Sequence, residues 1–127
     1  MPVANDRKYL DTHEWFKVER DLVTIGITPF AANELTDITF VSLPPIGKQV
    51  TAGKAFGEIE SVKATSELFT ALGGEVVAVN NELTAHPEWV NEDALGKGWM
   101  IKLRSPDLSP LGKLMDGPAY DKFTGGK

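Results

Sequence analysis

The chain has 127 residues, of which 42% are hydrophobic, enough for one domain that buries roughly two-thirds of its unfolded surface. It contains no cysteine, so disulfides and thiolate chemistry are excluded. The formal net charge is −5 and no basic cluster stands out, which argues against nucleic acid or an anionic membrane as a partner.

The first ten residues, Met1 to Leu10, include a polar stretch that carries charges of both signs. They lack the apolar core of a secretion signal and the arginine-rich, acid-poor pattern of a transit peptide. No run of about 18 apolar residues occurs in the sequence, so no membrane-spanning helix is expected. These features favour a bacterial cytoplasmic protein, or a processed form in the mitochondrial matrix.

Short strands dominate the first part of the chain. Apolar residues alternate over 15–20 and over 22–27, which predicts a hairpin that turns at Arg20-Asp21. Thr28 followed by Pro29 is typical of a helix start, and we expect one short helix from about Pro29 to Leu35. A further strand over 38–43 should end at Pro44-Pro45.

The most informative stretch runs from Phe56 to Phe69 and has Lys63 at its centre. Both flanks alternate like half-buried strands, so the chain should reverse at Lys63, between the small residues Ser61 and Ala64. A lysine held on a tight turn between two strands presents a fixed target to other proteins. Lys63 is therefore a candidate for modification, with acidic neighbours at Glu58, Glu60, Glu67 and, further on, Glu75.

The remaining elements are again short. After the glycines at 73–74 we expect a strand over 75–80, a helical turn near Pro87, and a last strand over 99–104. Three helix-start signals follow between 105 and 118, which predict one or two short helices ending near Phe123, with a frayed end over 124–127. Many short strands at close spacing favour a sandwich or a flattened barrel.

Signatures of catalysis are absent from the sequence. There is no glycine-rich phosphate loop, no zinc-protease motif and no cysteine nucleophile, and two histidines cannot form a histidine-rich metal site. We therefore predict no catalytic residues and no metal. His13 is expected at the surface or at a strand edge, and His86 in a turn or cap. The three tryptophans are expected mainly in the core, at Trp15, Trp89 and Trp99.

The lysine motif resembles a known family. Glu60-Ser61-Val62-Lys63-Ala64 is similar to the lipoyl-attachment motif of the H proteins of the glycine cleavage system. Other family motifs follow in the same order over roughly residues 8 to 123. They are His13-Glu14-Trp15, Val23 to Thr28, Asp37 to Pro44, Phe56-Gly57, Gly74 to Asn80, Val90 to Asp93 and Gly98-Trp99. The chain departs from the family pattern mainly in turns, as at Arg20, and at Glu34 and Glu67.

The resemblance implies a fold and a role. The fold would be a lipoyl-type flattened barrel-sandwich hybrid of antiparallel strands, with one domain over residues 1–127 and a C-terminal helical extension over about 106–123. Lys63 would carry lipoic acid as an amide, attached by lipoylating enzymes. The arm would receive an aminomethyl group from glycine decarboxylase and pass the one-carbon unit on through aminomethyltransferase. Dihydrolipoamide dehydrogenase would then reoxidise its dithiol.

The resemblance also implies that the chain is a non-catalytic carrier and a monomer. Glu14 and Glu67 are candidates for a cleft in which the loaded arm rests, because a carboxylate there would pair with the amine of the arm.

Two other interpretations remain open at this point. A lipoyl or biotinyl domain of a larger enzyme fits less well, because biotin attachment favours methionines beside the lysine, where this chain has Val62 and Ala64. Lipoyl domains of 2-oxoacid dehydrogenases usually have an aspartate before the lysine and about 80 residues. An H-like protein that mainly accepts or relays lipoyl groups is the third possibility.

Overall fold

The structure, a computed structural model, describes residues 6–125. Its strands are β1 Lys8–Tyr9, β2 Glu14–Glu19, β3 Leu22–Ile27, β4 Ile38–Ser42, β5 Gln49–Val50, β6 Ala55–Ser61, β7 Thr65–Phe69, β8 Gly74–Val79 and β9 Ile101–Arg104. Its helices are α1 Pro29–Leu35, α2 Glu82–Ala85, α3 Trp89–Glu92 and α4 Gly117–Phe123, with a 3-10 helix at Ser109–Lys113. The mainly β fold, the helix after the first hairpin and the helical tail are thus confirmed.

The strands form two antiparallel sheets. One has six strands in the order β1-β2-β3-β9-β8-β5, and the other has three in the order β4-β6-β7. Since side chains alternate between the faces of a strand, each sheet contributes every second residue to one shared core. This core joins residues of the larger sheet to residues of the smaller one, among them Val23, Ile25, Leu103, Val41, Ile59 and Leu68.

Local signals in the sequence place the helices. Thr28 caps α1 by accepting a hydrogen bond from the amide of Ala31 at 3.2 Å, with Pro29 at the first helical position. In α4 the same role falls to the carboxylate of Asp116. α4 packs on the first strands through a second buried cluster of Tyr9, Trp15 and Tyr120.

Several features differ from the prediction. β1 and α2 were not expected, because two and four residues are too short to show a periodic pattern. Of the tryptophans, Trp15 is buried, whereas Trp89 and Trp99 are half-buried at the margins of the two clusters. Thr124, expected to be frayed, bonds to the carbonyl of Tyr120.

Parts of two predictions lie outside the described residues. The interpretation of Met1 to Leu10 includes residues 1–5, and the predicted frayed end includes residues 126 and 127. Within residues 6–125, none of the helices has the length and apolar character needed to cross a membrane.

Candidate functional site

Lys63 lies at the tip of the β6–β7 hairpin. The two strands pair in register at Glu60 with Thr65, Ile59 with Ser66 and Glu58 with Glu67. Ile59 and Leu68 point into the core with 1% exposure each, so the hairpin is anchored along its inner face. The reversal predicted from the sequence falls between Ser61 and Thr65, with Lys63 exposed to solvent.

Backbone and serine hydrogen bonds hold the turn in one shape. The amide of Ser61 donates to the carbonyl of Ala64 at 2.8 Å, and the Ser61 hydroxyl accepts from the amides of Lys63 and Ala64 at 3.2 and 3.1 Å. On the other side, the amide of Val62 donates to the carbonyl of Asp37 at 3.0 Å. The turn is therefore fixed both internally and to the segment between α1 and β4.

The Lys63 ammonium group contacts the end of helix α1. Its Nζ donates to the backbone carbonyl of Glu34 at 3.1 Å. This carbonyl is among the last four of the helix, which have no partner within it. No ion pair involving Lys63 occurs among residues 6–125. The same carbonyl can also accept a neutral amide N–H, through a weaker hydrogen bond than that from the charged amine.

Glu14 is a buried carboxyl group at the free edge of the three-stranded sheet. Its side chain is 1% exposed, and Oε2 accepts a hydrogen bond from the amide of Phe69 in β7 at 3.0 Å. The hydroxyl of Thr12 donates to the other oxygen. Burial raises the pKa of Glu14 to about 7, because loss of water outweighs the hydrogen bonds that favour the charged form.

Glu67 has a different environment from Glu14. It is exposed on the outer face of β7, directly opposite Glu58 of β6. Within the described part of the chain, no hydrogen bond or ion pair joins Glu67 to Glu14 or to Lys63. Glu58, Glu60 and Glu67 share this outer face, whereas Glu75 lies on β8 in the other sheet.

His13, expected at the surface or at a strand edge, is half-buried and directly precedes β2. Its backbone has a φ of 78°, and its Nδ1 lies 2.6 Å from the hydroxyl of Tyr120. That hydroxyl is in turn 2.8 Å from the hydroxyl of Thr28. Burial lowers the pKa of His13. No sequence signal identifies this contact, because its partner is 107 residues away.

The site is thus an exposed lysine on a hairpin turn whose backbone is held by hydrogen bonds, in a mainly β domain. The chain belongs to the glycine cleavage H-protein family, whose model matches residues 7–126. This confirms the family predicted from the motifs.

Individual relatives agree with this assignment. The glycine cleavage system H protein of Parvibaculum lavamentivorans is 48% identical over 119 residues, which cover 94% of this chain and 95% of the relative. That of Halalkalibacterium halodurans is 50% identical over 121 residues, covering 95% and 94%. The crystal structure of a glycine cleavage system H protein from Mycobacterium marinum superposes with a TM-score of 0.90 at 32% identity, covering 97% of this chain and 99% of that one.

Family membership confirms the predicted role in outline. Members carry a lipoyl group on a lysine and act as carriers rather than catalysts. They function with the other enzymes of the glycine cleavage system. The family model and these relatives are all H proteins. They give no support to the alternative interpretation, a lipoyl or biotinyl domain of a larger enzyme.

Proposed function

We propose that Lys63 is the lipoylated residue through which this chain serves glycine cleavage. The observation that carries the proposal is the hairpin turn, in which Ser61 holds the amide of Lys63, Asp37 holds that of Val62, and the lysine is exposed. A fixed backbone gives a modifying enzyme one conformation to recognise, and an exposed side chain gives it access.

The attachment chemistry uses the free amine of Lys63. Its Nζ attacks the carbonyl carbon of an activated lipoyl group, an amide bond forms, and the activating group leaves while the nitrogen loses a proton. The positive charge disappears, and the remaining N–H can keep the contact with Glu34. Once attached, the lipoyl group supplies a dithiolane that takes up and releases the one-carbon unit as it changes between disulfide and dithiol.

The proposed partners are glycine decarboxylase, aminomethyltransferase, dihydrolipoamide dehydrogenase and the lipoylating enzymes. The outer face of the hairpin supports contacts with basic partner surfaces, because Glu58, Glu60 and Glu67 lie on it and form none of the ion pairs seen in residues 6–125. The chain acts as one carrier domain, 1–127, and as a monomer, since the same hairpin must face each enzyme in turn. The bacterial relatives favour the cytoplasm as its location.

The loaded arm rests, in this proposal, at the free edge of β7. The Glu14 carboxyl lies at that edge, where it accepts a hydrogen bond from the amide of Phe69. Glu67 is two residues before Phe69 in β7, about 7 Å away along the backbone. Thr12 is exposed and covers the Glu14 carboxyl, so rotation of Thr12 would give the amine of the arm access to it. A cation at this position would lower the pKa of Glu14 and favour its ionised form.

Labelled glycine tests the carrier role. The lipoylated chain, mixed with glycine decarboxylase and glycine labelled in its methylene carbon, should acquire label, because the decarboxylase must load its carrier. Lys63→Arg should acquire none, whereas Lys54→Arg, which changes an exposed lysine in the turn before β6, should behave like wild type. A lipoylated wild type that takes up no label would favour the relay function.

The lifetime of the loaded arm tests the resting site. Glu14→Gln and Glu67→Gln should each hydrolyse faster than wild type, since each removes a negative charge from the proposed position of the amine. Glu75→Gln, on the other sheet, provides the control. Unchanged lifetimes in both variants would remove Glu14 and Glu67 from the site.

A further inference from the structure

One side chain of helix α3 joins the end of α1 to the beginning of β4. The Asn91 Oδ1 accepts a hydrogen bond from the amide of Ile38 at 2.9 Å. Its Nδ2 donates to the carbonyl of Thr36 at 2.7 Å and to that of Ala32 at 3.4 Å. Because Ile38 offers a donor and Thr36 an acceptor, only one orientation of the amide satisfies both. A single side chain thus holds the two-residue connection between α1 and β4 at both ends.

The connection held by Asn91 has an uncommon backbone. Thr36 has φ 63° and ψ −145°, and a positive φ is unfavourable for a β-branched residue. Such a conformation persists only where surrounding contacts impose it, and Asn91 bonds to the carbonyl of Thr36 itself and to the amide of Ile38 two residues further on. Asp37, the residue between them, presents its carbonyl to the amide of Val62 in the lysine turn.

Lys63 is therefore connected by hydrogen bonds to the same segment at two points. Its backbone follows Val62, which is bonded to Asp37, and its Nζ is bonded to Glu34 near the end of α1. Both acceptors belong to the stretch that Asn91 ties to α3. A change at Asn91 would alter the support of the turn without touching the hairpin itself.

We propose that Asn91 is a positioning residue for Lys63, which fixes the α1–β4 connection and so presents the lysine turn to the enzyme that acylates it. This inference rests on the proposed function of Lys63 as the lipoylated residue. The modifying enzyme recognises one conformation of the turn. If this conformation is populated only part of the time, the apparent affinity for the enzyme is multiplied by the populated fraction. The step after binding is unchanged. The expected signature is a raised KM at constant kcat.

Kinetics of modification provide the first test. With a lipoate–protein ligase, ATP and lipoate, Asn91→Ala should raise the KM for the unmodified chain about tenfold, roughly the effect of one lost hydrogen bond, with kcat unchanged. Asn91→Asp keeps the acceptor for Ile38 but places a carboxylate oxygen against the carbonyl of Thr36, so the KM should rise at least as much as in Asn91→Ala. Asn33→Ala is the control, because Asn33 is exposed on the neighbouring helix and its side chain makes none of these bonds.

Hydrogen exchange provides a second test that does not depend on acylation. The amide of Val62 should exchange faster in Asn91→Ala than in Asn33→Ala, while the amide of Ile59 in the hairpin core should be unchanged, which shows that the fold is intact. An unchanged Val62 rate would overturn the inference, as would an unchanged KM in a chain modified at Lys63. If the Lys63→Arg chain is still modified, the proposed function fails, and the Val62 rate alone decides the role of Asn91.

Discussion

Replacing Glu14 by glutamine should change how the stability of the protein depends on pH. The rise of the Glu14 pKa from its ordinary 4.5 to about 7 corresponds to about 3 kcal/mol between the protonated and ionised forms. The folded state binds this proton more tightly than the unfolded state. The protonated carboxyl therefore contributes to the free energy of unfolding, and this contribution is fully present below pH 4.5. It is lost as the pH rises through about 7.

Glutamine is a close neutral substitute at this position. Its carbonyl oxygen can accept from the amide of Phe69, and its amide can donate to the hydroxyl of Thr12, so both contacts of Glu14 have an equivalent. The variant therefore keeps the packing while it loses the ionisation.

Urea unfolding of both proteins at several pH values measures the effect. Glu14→Gln and wild type should have similar free energies of unfolding at about pH 4, and the variant should be more stable by up to about 3 kcal/mol at about pH 8. Other titrating groups cancel in the difference. Glu19→Gln is the control, because Lys102 lowers the pKa of the exposed Glu19, and its difference from wild type should change slightly in the opposite sense. A difference for Glu14→Gln that is constant with pH would refute the burial argument.

Three further substitutions test the fold by urea unfolding. Gly26→Ala should cost about 1–3 kcal/mol, since a Cβ there would lie 2.7 Å from the buried indole of Trp15, and an unchanged midpoint would contradict that packing. Arg20→Gly should stabilise by up to about 1 kcal/mol because Arg20 has a φ of 62°, and a loss of stability would contradict this account of the turn. Ser61→Ala should cost about 1 kcal/mol by removing the acceptor for Lys63, and a neutral result would show that water replaces it.

The parts of the structure that could be predicted are those governed by neighbouring residues. Alternating side chains located the β2–β3 hairpin and the β6–β7 hairpin with Lys63 at its turn. Thr28 and Pro29 marked the start of α1, where the structure has a cap and a first helical residue. In each case the signal and the structure it produces lie within a few residues of each other.

The environment of the candidate site could not be predicted, because it depends on contacts between distant parts of the chain. Glu14 meets Phe69 across 55 positions, and Asn91 meets Ile38 across 53. The predicted first strand begins at Trp15, one residue after Glu14, and the burial of Glu14 depends on the packing of β2 against the edge strand β7 of the other sheet. The sequence thus located the lysine without showing what holds it.

The mass of the modified protein tests the central claim most directly. After expression with a lipoylation system, intact-mass measurement should show one added lipoyl group, and fragmentation should place it on Lys63. Lys63→Arg should remain unmodified, while Lys54→Arg should carry the group as wild type does. A wild-type chain that stays unmodified under these conditions, or a lipoyl group found on another lysine, would contradict the account.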